Sequence, residues 1–140
     1  MFQKTAKITN YINEQIGKPI VYGENDCNLL CLKMVDIETG SDYFNQLVNQ
    51  YSTVKEGLTK AKKTIGYSNA LEVIKENYEQ TDDYSDGCLL VKEHKEGARK
   101  VFHVSVVYSG WALTMDNGFY KNIPAVQADY DSIWRIKKCR

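Results

Sequence analysis

Thiols and imidazoles are few in this chain: four cysteines, Cys27, Cys31, Cys88 and Cys139, and two histidines, His94 and His103. Cys27 has the most suggestive setting. It closes the stretch Tyr22-Gly23-Glu24-Asn25-Asp26-Cys27 and opens an apolar run, Leu29-Leu30-Cys31-Leu32 through Met34-Val35, which predicts a buried helix. Gly23, Asn25 and Asp26 are turn and cap residues, so Cys27 should fall at or just inside that helix's N-terminus. A thiol placed there feels unpaired backbone N–H groups and the positive end of the helix dipole, which favour thiolate. The competing reading makes Cys27 a small apolar residue packed at a helix start.

A thiol nucleophile needs a base, and the base needs a third group to hold its tautomer. His94 lies in the charge run Lys92-Glu93-His94-Lys95-Glu96, which reads as a solvated loop tip. His103 is flanked by Val101, Phe102 and Val104 in the strongest strand signal of the chain. Strand alternation puts His103, Ser105 and Val107 on one face and Phe102, Val104 and Val106 on the other. A two-residue turn at Ser109-Gly110 should return Trp111 to Met115 beside it, so an orienting partner could lie at Thr114, Asp116 or Asn117. Taken alone, a histidine in a strand is more often a hydrogen-bonded structural residue than a catalyst.

No metal or other cofactor is expected. Cys27 and Cys31 share a helix face and, with Cys88 and His103, have the donor types for zinc, but structural zinc sites take their cysteines from short CxxC turns, and this CxxxC lies in an apolar helix. A thioredoxin-like CxxC is absent. Cys31 and Cys88 read as core and Cys139 as part of an exposed basic tail.

The elements that must position Cys27 and His103 follow from periodicity and punctuation. Phe2, Ile8, Tyr11, Ile12 and Ile16 predict an amphipathic helix over residues 3–16, ended by Gly17-Lys18-Pro19. The Cys27 helix should run to about Glu38 and close at Thr39-Gly40. Residues 41–51 read as a polar, aromatic connection. Thr53 answered by Glu56 predicts a helix to Gly66 with Val54, Leu58, Ala61 and Ile65 inward, and Asn69 with Glu72 predicts another through about Tyr78. Glu79 to Asp86 reads as an acidic loop. The period then turns strand-like at residues 87–91, 101–108, 111–115 and 132–136, with a charged loop from Lys92 to Lys100 and a turn at Asp116-Asn117-Gly118. Helices followed by an antiparallel meander make an α+β fold, expected as one domain over 1–140.

Eighteen basic and eighteen acidic side chains cancel, leaving no net field to draw nucleic acid or an anionic membrane. No signal-peptide core is read at the N-terminus and no apolar segment is long enough to span a membrane, so the cysteines are expected as reduced thiols.

The order of these motifs resembles the NlpC/P60 superfamily of papain-like cysteine peptidases and amidases, in the divergent form found in phage virion and tail proteins. The resemblance is carried by Pro19-Ile20-Val21-Tyr22-Gly23-Glu24-Asn25-Asp26-Cys27, by Thr39-Gly40-Ser41-Asp42 with Tyr51-Ser52-Thr53, and by His103-Val104 running to Ser109-Gly110. Two motifs depart from the family: Asp-Cys-Ser-Gly is here Asp26-Cys27-Asn28-Leu29, and the Gly-Asp before the histidine strand is inverted as Asp86-Gly87. The resemblance implies a papain-like fold with N-terminal helices packed on the meander, a Cys27 nucleophile, a His103 base, and Asp116 or Asn117 as third residue, Asp116 being favoured. It further implies oxyanion or substrate contacts at the Cys27 N–H, Tyr22 and Asp26.

The activity it implies is hydrolysis of a peptide or amide bond in bacterial cell-wall stem peptide, in a phage virion or the bacterial cytoplasm. Two alternatives stay open. One is a structural virion, tail or genome-ejection protein with a degenerate papain-like domain, in contact with other virion proteins; the other is a host-directed deamidase or transglutaminase-like enzyme using the same triad.

Overall fold

The computed structural model describes residues 2–137. Five helices precede most of the sheet: α1 (Phe2–Gln15), α2 (Cys27–Thr39), α3 (Tyr43–Leu47), α4 (Val54–Ile65) and α5 (Ala70–Asn77). Six strands follow: β1 (Tyr78–Thr81), β2 (Leu89–Glu96), β3 (Arg99–Tyr108), β4 (Trp111–Asp116), β5 (Phe119–Pro124) and β6 (Ser132–Ile136). They form one antiparallel sheet in the order β1-β6-β2-β3-β4-β5, so the chain has an α+β fold. Among the described residues no helix is long and apolar enough to cross a membrane.

Local chemistry sets the helix ends. Asp26, Thr53 and Asn69 each accept an N–H three residues on, from Leu29, Glu56 and Glu72. Gly40 closes α2 at φ 78°, its N–H reaching the Asp36 carbonyl. Asp36 in turn accepts the Tyr43 and Phe44 N–H groups at 3.0 and 2.8 Å, starting α3 where the sequence predicts only a connection.

The sheet is covered on both faces. On one, Phe102, Val104 and Val106 of β3 and Leu89 and Val91 of β2 pack with Leu29, Leu30, Met34 and Val35 of α2 in the main core. On the other, Cys88, Leu90, Val107, Ala112, Ala125 and Ile133 form a smaller cluster under Tyr84 and Tyr130. Cys31 and Cys88 are both buried in these cores, whereas Cys139 lies outside the described residues.

The structure adds two strands and extends a third. Residues 78–81, divided in the sequence reading between a helix end and an acidic loop, pair with β6 from Tyr78↔Ile136 to Thr81↔Ile133. Phe119–Pro124 pairs with β4, the hairpin turning at Asn117-Gly118 with both residues at positive φ. The charged run from Lys92 continues β2 as far as Glu96, paired with Arg99 across the turn, so most of the predicted loop is a strand.

Candidate active site

The loop before α2 is tied down from three directions. Asp26, 2% exposed, accepts the Leu29 N–H on Oδ1 at 3.0 Å and both the Gly23 N–H (2.8 Å) and the Tyr51 hydroxyl (2.6 Å) on Oδ2. Both carboxylate oxygens are therefore engaged in holding the loop. Gly23 adopts φ +88°, and a Cβ there would stand 1.7 Å from the Tyr51 carbonyl oxygen, so only glycine allows this approach. Asn25 receives the Val21 N–H on its side-chain oxygen and donates from its amide to the Gln15 side chain and the Pro19 carbonyl.

From the far end of the chain, the Tyr120 hydroxyl donates to the Asn25 carbonyl. The loop's earlier residues bond along the β4–β5 hairpin, Gly17 N–H to the Tyr120 carbonyl and Ile20 N–H to the Gly118 carbonyl. Tyr22, on the same loop, is 45% exposed, and Phe119 of the hairpin is 50% exposed.

Cys27 is the first residue of α2, where the cap pattern places it. Its thiol donates to the Phe102 carbonyl at 3.5 Å, next to His103 in the chain. Strand geometry explains this partner. Val107 exchanges backbone bonds with Gly87 and Cys88 on the β2 side, so alternate residues Phe102 and Val104 turn their backbone groups to the opposite edge. The β3–β4 ladder there runs from Tyr108↔Trp111 to Val106↔Leu113. The start of α2 docks against the β3 edge beyond that ladder.

The sequence argument for a thiolate meets an opposing effect. Cys27 is 8% exposed, and loss of hydration pushes its pKa from 9.0 up to about 12. The backbone N–H of Val104 acts against this, the Asp26 carboxylate adds to it, and the N–H groups of Cys27 and Asn28 contribute smaller lowering effects. Burial wins over the helix terminus, so the resting thiol is protonated at neutral pH and serves as a donor.

The contact places the Cys27 sulfur at the backbone of β3 next to His103, while α2 itself packs on the Phe102, Val104 and Val106 face of the strand. His103 belongs to the face of β3 that carries Ser105 and Val107, opposite Lys92 of β2 in register, and is partly buried. Its ring stacks on that of His94, centroids 5.1 Å apart and planes 26° apart. His94 is exposed, as a charged run suggests, but it is a strand residue at the His103 site rather than a loop tip. Periodicity could not reveal this, because the alternation that finds strands is apolar against polar, and Lys92 to Glu96 contains no apolar residue.

The two candidates for third residue sit at the end of β4. Asp116 is exposed and pairs with Lys121 Nζ at 3.5 Å, and Asn117 occupies the first turn position at φ 52°. Nearer the β3–β4 ladder, the Ser105 hydroxyl donates to Thr114 Oγ1 at 2.8 Å. Among the described residues no group of three or more His, Cys, Asp or Glu could hold a metal ion. An open groove of about 830 Å³ runs between α1, the start of α3 and the loop, with the Lys33 ammonium 4.9 Å from the Phe44 ring centroid; Cys27 does not line it.

Comparison with known proteins places the chain in one family: it belongs to the family described as a domain of unknown function (DUF6950), whose model matches residues 2–135. No curated protein and no solved structure matches it.

Proposed function

We propose that this chain is a papain-like thiol hydrolase of the NlpC/P60 type, with Cys27 as nucleophile and His103 as base. The observation that carries the reading is the docking of the α2 N-terminus on β3, which sets the Cys27 thiol 3.5 Å from the carbonyl of the residue before His103. That contact seats a cysteine that opens a helix on the strand that carries a histidine, an order of elements that supports the papain-like reading.

Because the resting thiol is protonated, the proton leaves as the sulfur attacks. Cys27 Sγ forms a bond to the carbonyl carbon of an amide while His103 takes the thiol proton. The imidazolium then returns that proton to the leaving nitrogen as the C–N bond breaks. Water, deprotonated by His103, cleaves the thioester and regenerates the thiol. The N–H groups of Cys27 and Asn28 at the start of α2 are the oxyanion donors, with Tyr22 of the preceding loop as the further contact that the resemblance implies. Asp116 is the favoured third residue by position, with Asn117 next to it. The substrate class is a peptide or amide bond of bacterial cell-wall stem peptide, and the setting a phage virion or the bacterial cytoplasm.

A second reading, a papain-like scaffold kept as a structural virion component, is favoured by the burial of Cys27 and its raised pKa. Turnover of purified stem peptides by the wild type, Cys27→Ala and His103→Ala decides between them. The hydrolase reading expects both variants to fall by about a hundredfold or more. Turnover that survives both substitutions refutes the Cys27–His103 assignment, and none in the wild type selects the scaffold.

A further inference from the structure

We propose that the groove bordered by α1, α2 and the start of α3 binds a short peptide with free termini, taking its carboxylate on the Gln15 amide and the Lys33 ammonium. The groove is separate from Cys27, which does not line it, and its occupancy does not depend on the hydrolase reading.

Gln15 is the residue that calls for a ligand. It ends α1, lines the groove and is 5% exposed. The orientation of its amide follows from its neighbour. The Asn25 side-chain oxygen takes the Val21 N–H at 2.8 Å, and the Asn25 nitrogen donates to the Pro19 carbonyl at 3.0 Å and to Gln15 Oε1 at 3.2 Å. The Gln15 nitrogen therefore turns away from Asn25, and it has no hydrogen-bond partner among the described residues. It is not sealed in, because the Tyr78 hydroxyl is the one side-chain polar atom among those residues that is both enclosed and unpaired. Its outlet is the groove. A donor so far withdrawn from bulk water needs an acceptor.

Lys33 supplies the charge. Its ammonium is 4.9 Å from the Phe44 ring centroid and 5.7 Å from that of Tyr11, and it forms no ion pair among the described residues. Contact with the two rings holds the ammonium without neutralising it. Tyr11 and Gln15 are four residues apart on α1 and share a face, which brings Lys33 to the same stretch of groove. Asp36, one turn along α2, is occupied elsewhere: it accepts the Ser41 hydroxyl and the Tyr43 and Phe44 N–H groups. Two donors, one of them charged, face the groove without an acceptor, and a carboxylate satisfies both.

The remaining charges select the rest of the ligand. Glu14 and Glu24 are exposed on the groove's edge, where they repel a polyanion and attract an ammonium. A zwitterion meets both demands. The lining extends along α1 from Lys7 to Gln15, about 12 Å of helix, which an extended tripeptide spans and a single amino acid does not. At about 830 Å³ the groove is within the size range of small-ligand sites.

Titration of the full chain with trialanine, followed by NMR of the side-chain amides, tests this, with Gln15→Glu assigning the Gln15 resonances. Trialanine should shift those resonances saturably, with a Kd of about 1 mM. Trialanine amide, which lacks the carboxylate, should bind at least about tenfold more weakly. Lys33→Met should weaken trialanine by a similar factor, as should Gln15→Glu, which keeps the acceptor for Asn25 and removes the donor; for Gln15→Glu the Asn25 side-chain amide is the reporter. Thermal melting of both variants close to that of the wild type assigns these losses to the groove rather than to unfolding. No saturable shift by about 20 mM trialanine overturns the proposal. Equal binding of the amide, or unchanged affinity in both variants, overturns it too. Inorganic phosphate binding more tightly than trialanine replaces the peptide site with a simple anion site.

Discussion

The protonated state of Cys27 can be tested through its rate of alkylation. With a pKa of about 12 against 9.0 for an ordinary thiol, the difference is three pH units, so the thiolate fraction at pH 7 is about a thousandfold smaller. Burial to 8% exposure slows any reagent further. Timed iodoacetamide labelling, with mass spectrometry of the peptide carrying Cys27, measures this directly, and the urea-unfolded chain supplies the ordinary rate. The native rate at pH 7 should be lower than the unfolded rate by at least about a thousandfold, and should climb about tenfold per pH unit to pH 10 without levelling. A native rate that matches the unfolded one, or one that levels below pH 8, would refute the reasoning. It would show that the helix N-terminus and His103 prevail over desolvation.

Three further outcomes follow from the same contacts. The Cys27 thiol, raised in the folded state, contributes stability that is fully present below pH 9 and is lost as pH rises towards 12; urea titrations should show wild type losing about 2–3 kcal/mol more than Cys27→Ala between pH 8 and 11. Tyr51→Phe removes the hydroxyl that bonds the buried Asp26 carboxylate at 2.6 Å and should cost about 1.5–3 kcal/mol in the same assay, an effect that disappears in an Asp26→Asn background. Asn117→Ala, at φ 52°, should cost about 1 kcal/mol while Asn117→Gly costs almost nothing, and equal losses for both would show that the asparagine side chain does more than fit the turn.

What could be read from the sequence was whatever a few neighbouring residues decide. The Asp26, Thr53 and Asn69 caps were legible because each side chain bonds an N–H three positions away. The Ser109-Gly110 turn was legible because its positive φ values favour particular residues. Strands β1 and β5 were not, since Glu79-Gln80 and Lys121-Asn122 are polar and gain their place by pairing with distant strands. The extension of β2 was hidden for the same reason. Cys27 and His103 stood out by residue type and context, but the sign of the effect on the thiol did not. A helix dipole is local, whereas the desolvation that outweighs it comes from packing against residues seventy-five positions away.

That separation bears on how the protein is made. The Cys27 thiol meets its acceptor on Phe102, and the Asn25 carbonyl meets Tyr120 from ninety-five positions away, so the surroundings of the thiol are assembled only by the last hairpins. Contacts of such long range form late and slowly, and a chain emerging from the ribosome has α2 long before it has β3 or β5. The shielding that keeps the thiol protonated therefore depends on contacts with β3 and β5, far from Cys27 in the chain.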